Sequence, residues 1–170
     1  MKILATFDGS TFSEAILPQL SMIARVPTAE FTLLAVAQEP GGLLRTRAGH
    51  PDAIGEVMGA AVPIVVKSPE PAWAENKGQA IERELAEFQE YLQGIAARLP
   101  QGTRVVIEAK VANNAAEAIV DAARERRVDV IVMATHSRSG IAHVLFGSTT
   151  EHVVRSGVCP VLVVHPTPKD

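Results

Sequence analysis

Two apolar runs, Val128 to Ala134 and Cys159 to His165, constrain the fold of this chain more than any other feature. Each is too short for most helices, and between them small and polar residues lead to Gly147-Ser148-Thr149 at the opening of a helical pattern. The order is therefore strand, loop, helix, strand. Strands that are apolar almost throughout belong to a parallel sheet covered on both faces.

The rest of the chain extends this alternation. Lys2 to Phe7 reads as strand one, followed by a turn at Asp8-Gly9-Ser10-Thr11. Thr11 and Glu14 have capping-box spacing for a helix running to about Ala24, with Pro18 making its first half irregular. Phe31 to Ala37 is strand two. Gln79 to Leu99 is a long helix whose Ile81, Leu85, Phe88, Leu92 and Ile95 form one apolar face. Arg104 to Val111 is strand three, and Asn114 with Glu117 caps a third helix through Ala123. Strand four is Val128 to Ala134, helix four begins near Gly147-Ser148, and Cys159 to His165 is strand five. The expected architecture is an open, doubly wound α/β domain with helices on both faces.

At 170 residues the chain is most simply one domain, 1–170, carrying a long excursion at 39–76 broken by prolines and glycines. Within that excursion Val62 to Lys67 is the best candidate for an extra edge segment. A net charge of −3 offers no general attraction to nucleic acid or to an anionic membrane. No run approaches a membrane span or a signal peptide, so a cytoplasmic location is expected. The single cysteine, Cys159, lies beside an apolar run and reads as a buried, inert thiol.

Chemistry is concentrated at the carboxyl ends of the strands, where doubly wound sheets hold ligands. At Gly147, Ser148 and Thr149 a glycine allows close backbone approach, a helix start supplies unpaired N–H groups, and two hydroxyls add donors. That pattern suits phosphate, and it also suits a plain N-cap behind a turn glycine. Arg138 can neutralise phosphate charge or remain solvated. Asp8 follows strand one and can close its turn through an Asx bond. His136, His143, His152 and His165 lack zinc-ligand spacing, so no metal site formed by the chain alone is expected. A hydrolase drawn from Ser10 or Ser137 with His136 and Asp8 has no Gly-x-Ser-x-Gly elbow.

These motifs resemble those of the universal stress protein family. Its nucleotide-binding members carry Gly-x-x-Gly, nine residues, then Gly-Ser/Thr. Here the register falls on Ala134-Thr135-His136-Ser137, nine residues from Arg138 to Phe146, then Gly147-Ser148. Asp8-Gly9-Ser10, Ala116-Glu117-Ala118-Ile119 and Cys159-Pro160-Val161-Leu162-Val163-Val164 also resemble family segments. The resemblance implies a Rossmann-like five-stranded sheet of order 3-2-1-4-5, ATP beyond its carboxyl edge, and a homodimer through the Cys159 to His165 strand. It places Asp8 by the nucleotide, where beside a triphosphate it would hold Mg²⁺ through water or face sugar and base, backbone near Val36 at adenine and Ala134 by the ribose. Ser137, Arg138, Gly147, Ser148 and Thr149 would then surround the phosphates. Two departures stand out: Ala134 and Ser137 replace the motif's first two glycines. If position 137 requires a left-handed backbone, a serine there costs ~1–2 kcal/mol.

The implied function is an ATP-binding, dimeric stress-response regulator, with occupancy changing the order of the loop from Ala134 to Phe146 and what partners meet. No Walker-type Gly-x-x-x-x-Gly-Lys is present, and no base for activating water can be assigned. A slow ATP-hydrolysing or autophosphorylating enzyme on the same site is one alternative. The other is a nucleotide-free dimeric interaction module in which Ser137 closes the phosphate site.

Overall fold

The computed structural model describes residues 1–38, 77–135 and 147–166. Five parallel strands form one sheet: β1 (Lys2–Phe7), β2 (Glu30–Gln38), β3 (Arg104–Ala112), β4 (Val130–Ala134) and β5 (Val161–Val164). Their order is β3-β2-β1-β4-β5, as the sequence led us to expect. The helices are α1 (Leu17–Ile23), α2 (Lys77–Ala97), α3 (Ala115–Arg126) and α4 (Ser148–Ser156), with a 3-10 turn at Ser13–Ile16 leading into α1. The 39–76 excursion, its Val62 to Lys67 segment, and the loop residues 136–146 lie outside the described residues.

Alternation along the strands sorts the apolar side chains into two cores, because successive residues point to opposite faces. Ile3, Ala5 and Phe7 of β1 join Phe31, Leu33 and Ala35 of β2 beneath α1 and α2, where Leu20, Leu92 and Ile95 are buried. Leu4 and Leu34 point the other way and meet Ile119, Val120 and Ala123 of α3 and Val153 of α4, with Ile131 and Met133 of β4. Burying each Leu, Ile or Phe of these cores contributes about 1.5–3 kcal/mol. Helices on both faces follow directly from strands that are apolar on both faces.

Several element boundaries differ from the sequence reading. Thr11 does not cap the first helix. The residue before the 3-10 turn is Phe12, itself helical and without a side-chain cap bond, while Glu14 forms an ion pair with Arg98 beyond α2. Pro18 falls at the start of α1, where its missing N–H is harmless, and the 3-10 turn before it gives the segment the irregular first half expected from the sequence. Strand four starts at Val130 because Arg127 adopts a left-handed φ of 50° and the Val128 N–H returns to the Ala123 carbonyl, closing α3. Strand five starts at Val161, after Pro160, whose carbonyl accepts from the Ile131 N–H at 3.0 Å. Finally, Cys159 is partly rather than fully buried, and burial pushes its thiol above the ordinary range.

Candidate functional site

The strand order reverses between β1 and β4, and there the sheet opens. Pairing runs from Ile3–Val130 to Ala5–Val132 and stops, while β1 continues through Thr6 and Phe7 and β4 through Met133 and Ala134. Such a crevice is where open α/β sheets hold ligands. It leads into a cavity of about 350 Å³, within the range of small-molecule sites.

The cavity has two chemically distinct ends. Leu34 and Val36, two apart on β2, share one face of the strand, and with Met133 of β4 and Ala115 and Ile119 of α3 they make an apolar wall. The same cavity is also lined by Asp8, Ser13, Gly147, Ser148, Thr149 and Thr150, all polar or glycine. Ser13 and Thr150 are buried, so their hydroxyls face the interior rather than bulk water.

Asp8 closes the turn after β1. One carboxylate oxygen accepts from the Ser10 backbone N–H at 3.0 Å and from the Ser10 hydroxyl at 2.6 Å. The Ser10 hydroxyl also accepts from the Ser13 N–H at 3.2 Å, and the Ser13 hydroxyl donates to the Ser10 carbonyl at 2.8 Å. Gly9 sits between them at φ +80°, a conformation glycine adopts without cost. The Asx reading of Asp8 is thus realised in a turn that also lines the cavity.

Two helix N-termini meet the cavity, and they differ. At α3, Asn114 Oδ1 accepts from the N–H groups of Ala116 at 3.0 Å and Glu117 at 3.3 Å, the expected cap. At α4 the N-cap is Gly147, which has no side chain to offer. The Gly147 N–H donates instead to the Thr135 hydroxyl at 3.1 Å. The next N–H groups, of Ser148, Thr149 and Thr150, open α4 where such donors have no acceptor within the helix, beside the positive end of its dipole. Ser148 is the first helical residue rather than the cap.

Six of the residues singled out in the sequence therefore line one cavity: Asp8, Val36, Ala134, Gly147, Ser148 and Thr149. Ser137 and Arg138 lie outside the described residues. Ala134 ends a regular strand without positive φ, so its methyl in place of a motif glycine carries no backbone strain. The sequence reading did not single out Thr6, Phe7, Ser13, Leu34, Ala115, Ile119, Met133 and Thr150 as site residues. Ile119 could have been found from Ala115, four residues earlier on the same helix face. Among the described residues, no cluster of His, Cys, Asp and Glu could hold a metal ion, and no helix is long and apolar enough to cross a membrane.

A doubly wound sheet with a two-ended cavity at its switch point defines a Rossmann-like α/β protein. Residues 59–165, more than half of the chain, match the universal stress protein family, and the chain belongs to that family. A 55-residue stretch is 40% identical to Universal stress protein MJ0531 of Methanocaldococcus jannaschii, covering 32% of each chain. A 48-residue stretch is 42% identical to Universal stress protein MJ0577 of the same organism, covering 28% of this chain and 30% of that one. These matches span about a third of the relatives' length. The solved structure of MJ0577 superposes with a TM-score of 0.65 at 22% identity, covering 99% of this chain and 97% of that one. A universal stress protein in complex with cAMP superposes with a TM-score of 0.55 at 18% identity, covering 97% and 96%. At these identities the superpositions speak to the fold.

Proposed function

We propose that this universal stress protein binds an adenine nucleotide, ATP with Mg²⁺, and acts as a single-domain, cytoplasmic, dimeric regulator whose state depends on nucleotide occupancy. The observation that carries this reading is that apolar residues and an α4 N-terminus whose cap residue has no side chain line one and the same cavity. Leu34, Val36, Met133 and Ile119 suit an apolar, planar base, and Ala134 leaves room for the ribose. The first N–H groups of α4 and the hydroxyls of Ser148 and Thr149 suit phosphate oxygens. Ser137 and Arg138 belong to the same phosphate end by their place in the sequence motif.

The residues fit such a ligand on grounds of charge as well as shape. Asp8 already spends one oxygen on Ser10, so its role toward the nucleotide is to hold the turn and, through water, to help seat the cation that accompanies the phosphates. A related structure contains cAMP, an adenine nucleotide, which supports the base assignment. Ligand occupancy shifts a protein's conformation only through differential affinity for its states.

Calorimetric titration of nucleotide-stripped protein with ATP and Mg²⁺, with adenosine as control, tests the reading. Micromolar binding, near −8 kcal/mol, that depends on the phosphates is expected. Absence of ATP binding would overturn the nucleotide assignment and leave the protein as an interaction module.

A further inference from the structure

We propose that Thr135 is the positioning residue of the phosphate end, fixing the start of α4 from outside that helix; this rests on the nucleotide reading above. Thr135 is 1% exposed, and its polar groups are committed in two directions. Its backbone N–H donates to the Val164 carbonyl of β5 at 3.0 Å, and its hydroxyl accepts from the Gly147 N–H at 3.1 Å. It is therefore locked to the sheet on one side and holds the N-cap of α4 on the other.

This bond anchors the N-cap residue of α4 and leaves the N–H groups of its first turn open, whereas Asn114 caps α3 by accepting from N–H groups inside that turn. A helix normally fixes its first turn through the side chain of its own N-cap. Gly147 has none, so the α4 start is set by a hydroxyl twelve residues earlier in the chain. Two consequences follow. The Gly147 N–H is already engaged, so the donors offered to an anion begin at Ser148. Their direction is set by where Thr135 holds Gly147, since the Gly147 carbonyl accepts from the Glu151 N–H at 2.9 Å and starts the helical ladder. Glycine at the cap leaves the approach to the phosphates open, and a buried hydroxyl supplies the rigidity that glycine lacks.

The test compares Thr135→Val, which keeps the shape and removes the acceptor, with Thr135→Ser, which keeps the acceptor. Thr135→Val is expected to weaken ATP binding at least tenfold while leaving adenosine within about twofold, and Thr135→Ser to restore ATP to within about threefold. Equal loss of ATP and adenosine, or no loss of either, overturns the positioning role while the nucleotide reading stands. Failure of the unmodified protein to bind ATP overturns both. A readout free of nucleotide and of any variant is amide hydrogen exchange at Gly147 in the ligand-free protein. Protection there is expected from the Thr135 bond, and exchange at the rate of an open loop amide overturns the proposal even if Thr135→Val does not fold.

Discussion

The β-carbon that Gly9 lacks would stand 3.3 Å from Cε1 of Phe88, the ring that α2 lays against the turn after β1. Gly9 also sits at φ +80°, so an added side chain meets both a strained backbone and a crowded neighbour. Gly9→Ala is expected to destabilise the protein by about 1–2 kcal/mol from the backbone alone. Urea unfolding measures this. Adding Phe88→Leu should recover only the part due to contact, and full recovery would show that the backbone conformation carries no cost.

Glu108 on β3 lies between Lys110, at 2.8 Å, and Arg126 at the end of α3. Burial acts to raise its carboxyl, but the hydrogen bonds and charges of Lys110 and Arg126 outweigh it and hold the group below the usual value of 4.5. A carboxyl depressed in the folded state contributes stability above its unfolded value, and that stability is lost as pH falls through the folded value. Glu108→Gln should therefore lower the urea midpoint at pH 7 and flatten its fall below about pH 4.5. Parallel curves for the two proteins from pH 7 to 3 would contradict this.

Val36 faces the cavity from β2 and is only partly buried, so the site has room for a larger side chain at the expense of its ligand. Val36→Phe should fill the apolar end and weaken adenosine and ATP alike by tenfold or more, about 1.4 kcal/mol. The shared loss separates this variant from Thr135→Val, which touches the phosphates alone. Calorimetry with both ligands distinguishes them, and unchanged adenosine binding would move the base elsewhere.

Leu162 is 40% exposed on β5, an edge of the described sheet. If the dimer forms there, Leu162→Lys is expected to give a monomer at micromolar concentration with an unchanged circular dichroism spectrum. Sedimentation velocity checks both proteins. A monomeric unmodified protein would remove the β5 interface.

The strands and the α/β class were legible because the strands are short, apolar and spaced by helical patterns, signals that survive without tertiary information, whereas the sheet order came from the family resemblance. The errors arose where distant partners overrule local spacing. Thr11 and Glu14 had the right separation for a capping box, but Glu14 is drawn to Arg98, and the turn is organised by Asp8, Ser10 and Ser13 instead. Arg127 holds a left-handed conformation usually marked by glycine, so nothing in the sequence signalled that Val128 ends α3. At the site, Asp8, Ala134, Gly147, Ser148 and Thr149 could be named because they belong to a motif or follow or end a strand, and Val36 through the family resemblance. Thr150, Ser13 and Thr135 could not, because their importance lies in burial and in bonds that only the folded chain reveals.

The two edges of the sheet are unlike. On β3 the edge carries Glu108 and Lys110, joined to Arg126 and Glu125, whereas β5 is the uninterrupted run Val161–Val164. Charged residues on an edge discourage strand addition, and an apolar edge invites it. A union of two such sheets through β5 about a twofold axis uses the receptive edge of both partners at once, and leaves only charged edges facing outward. If two chains pair in this way, growth would stop at the pair, and the apolar strand that could seed a fibre would be the one that is covered.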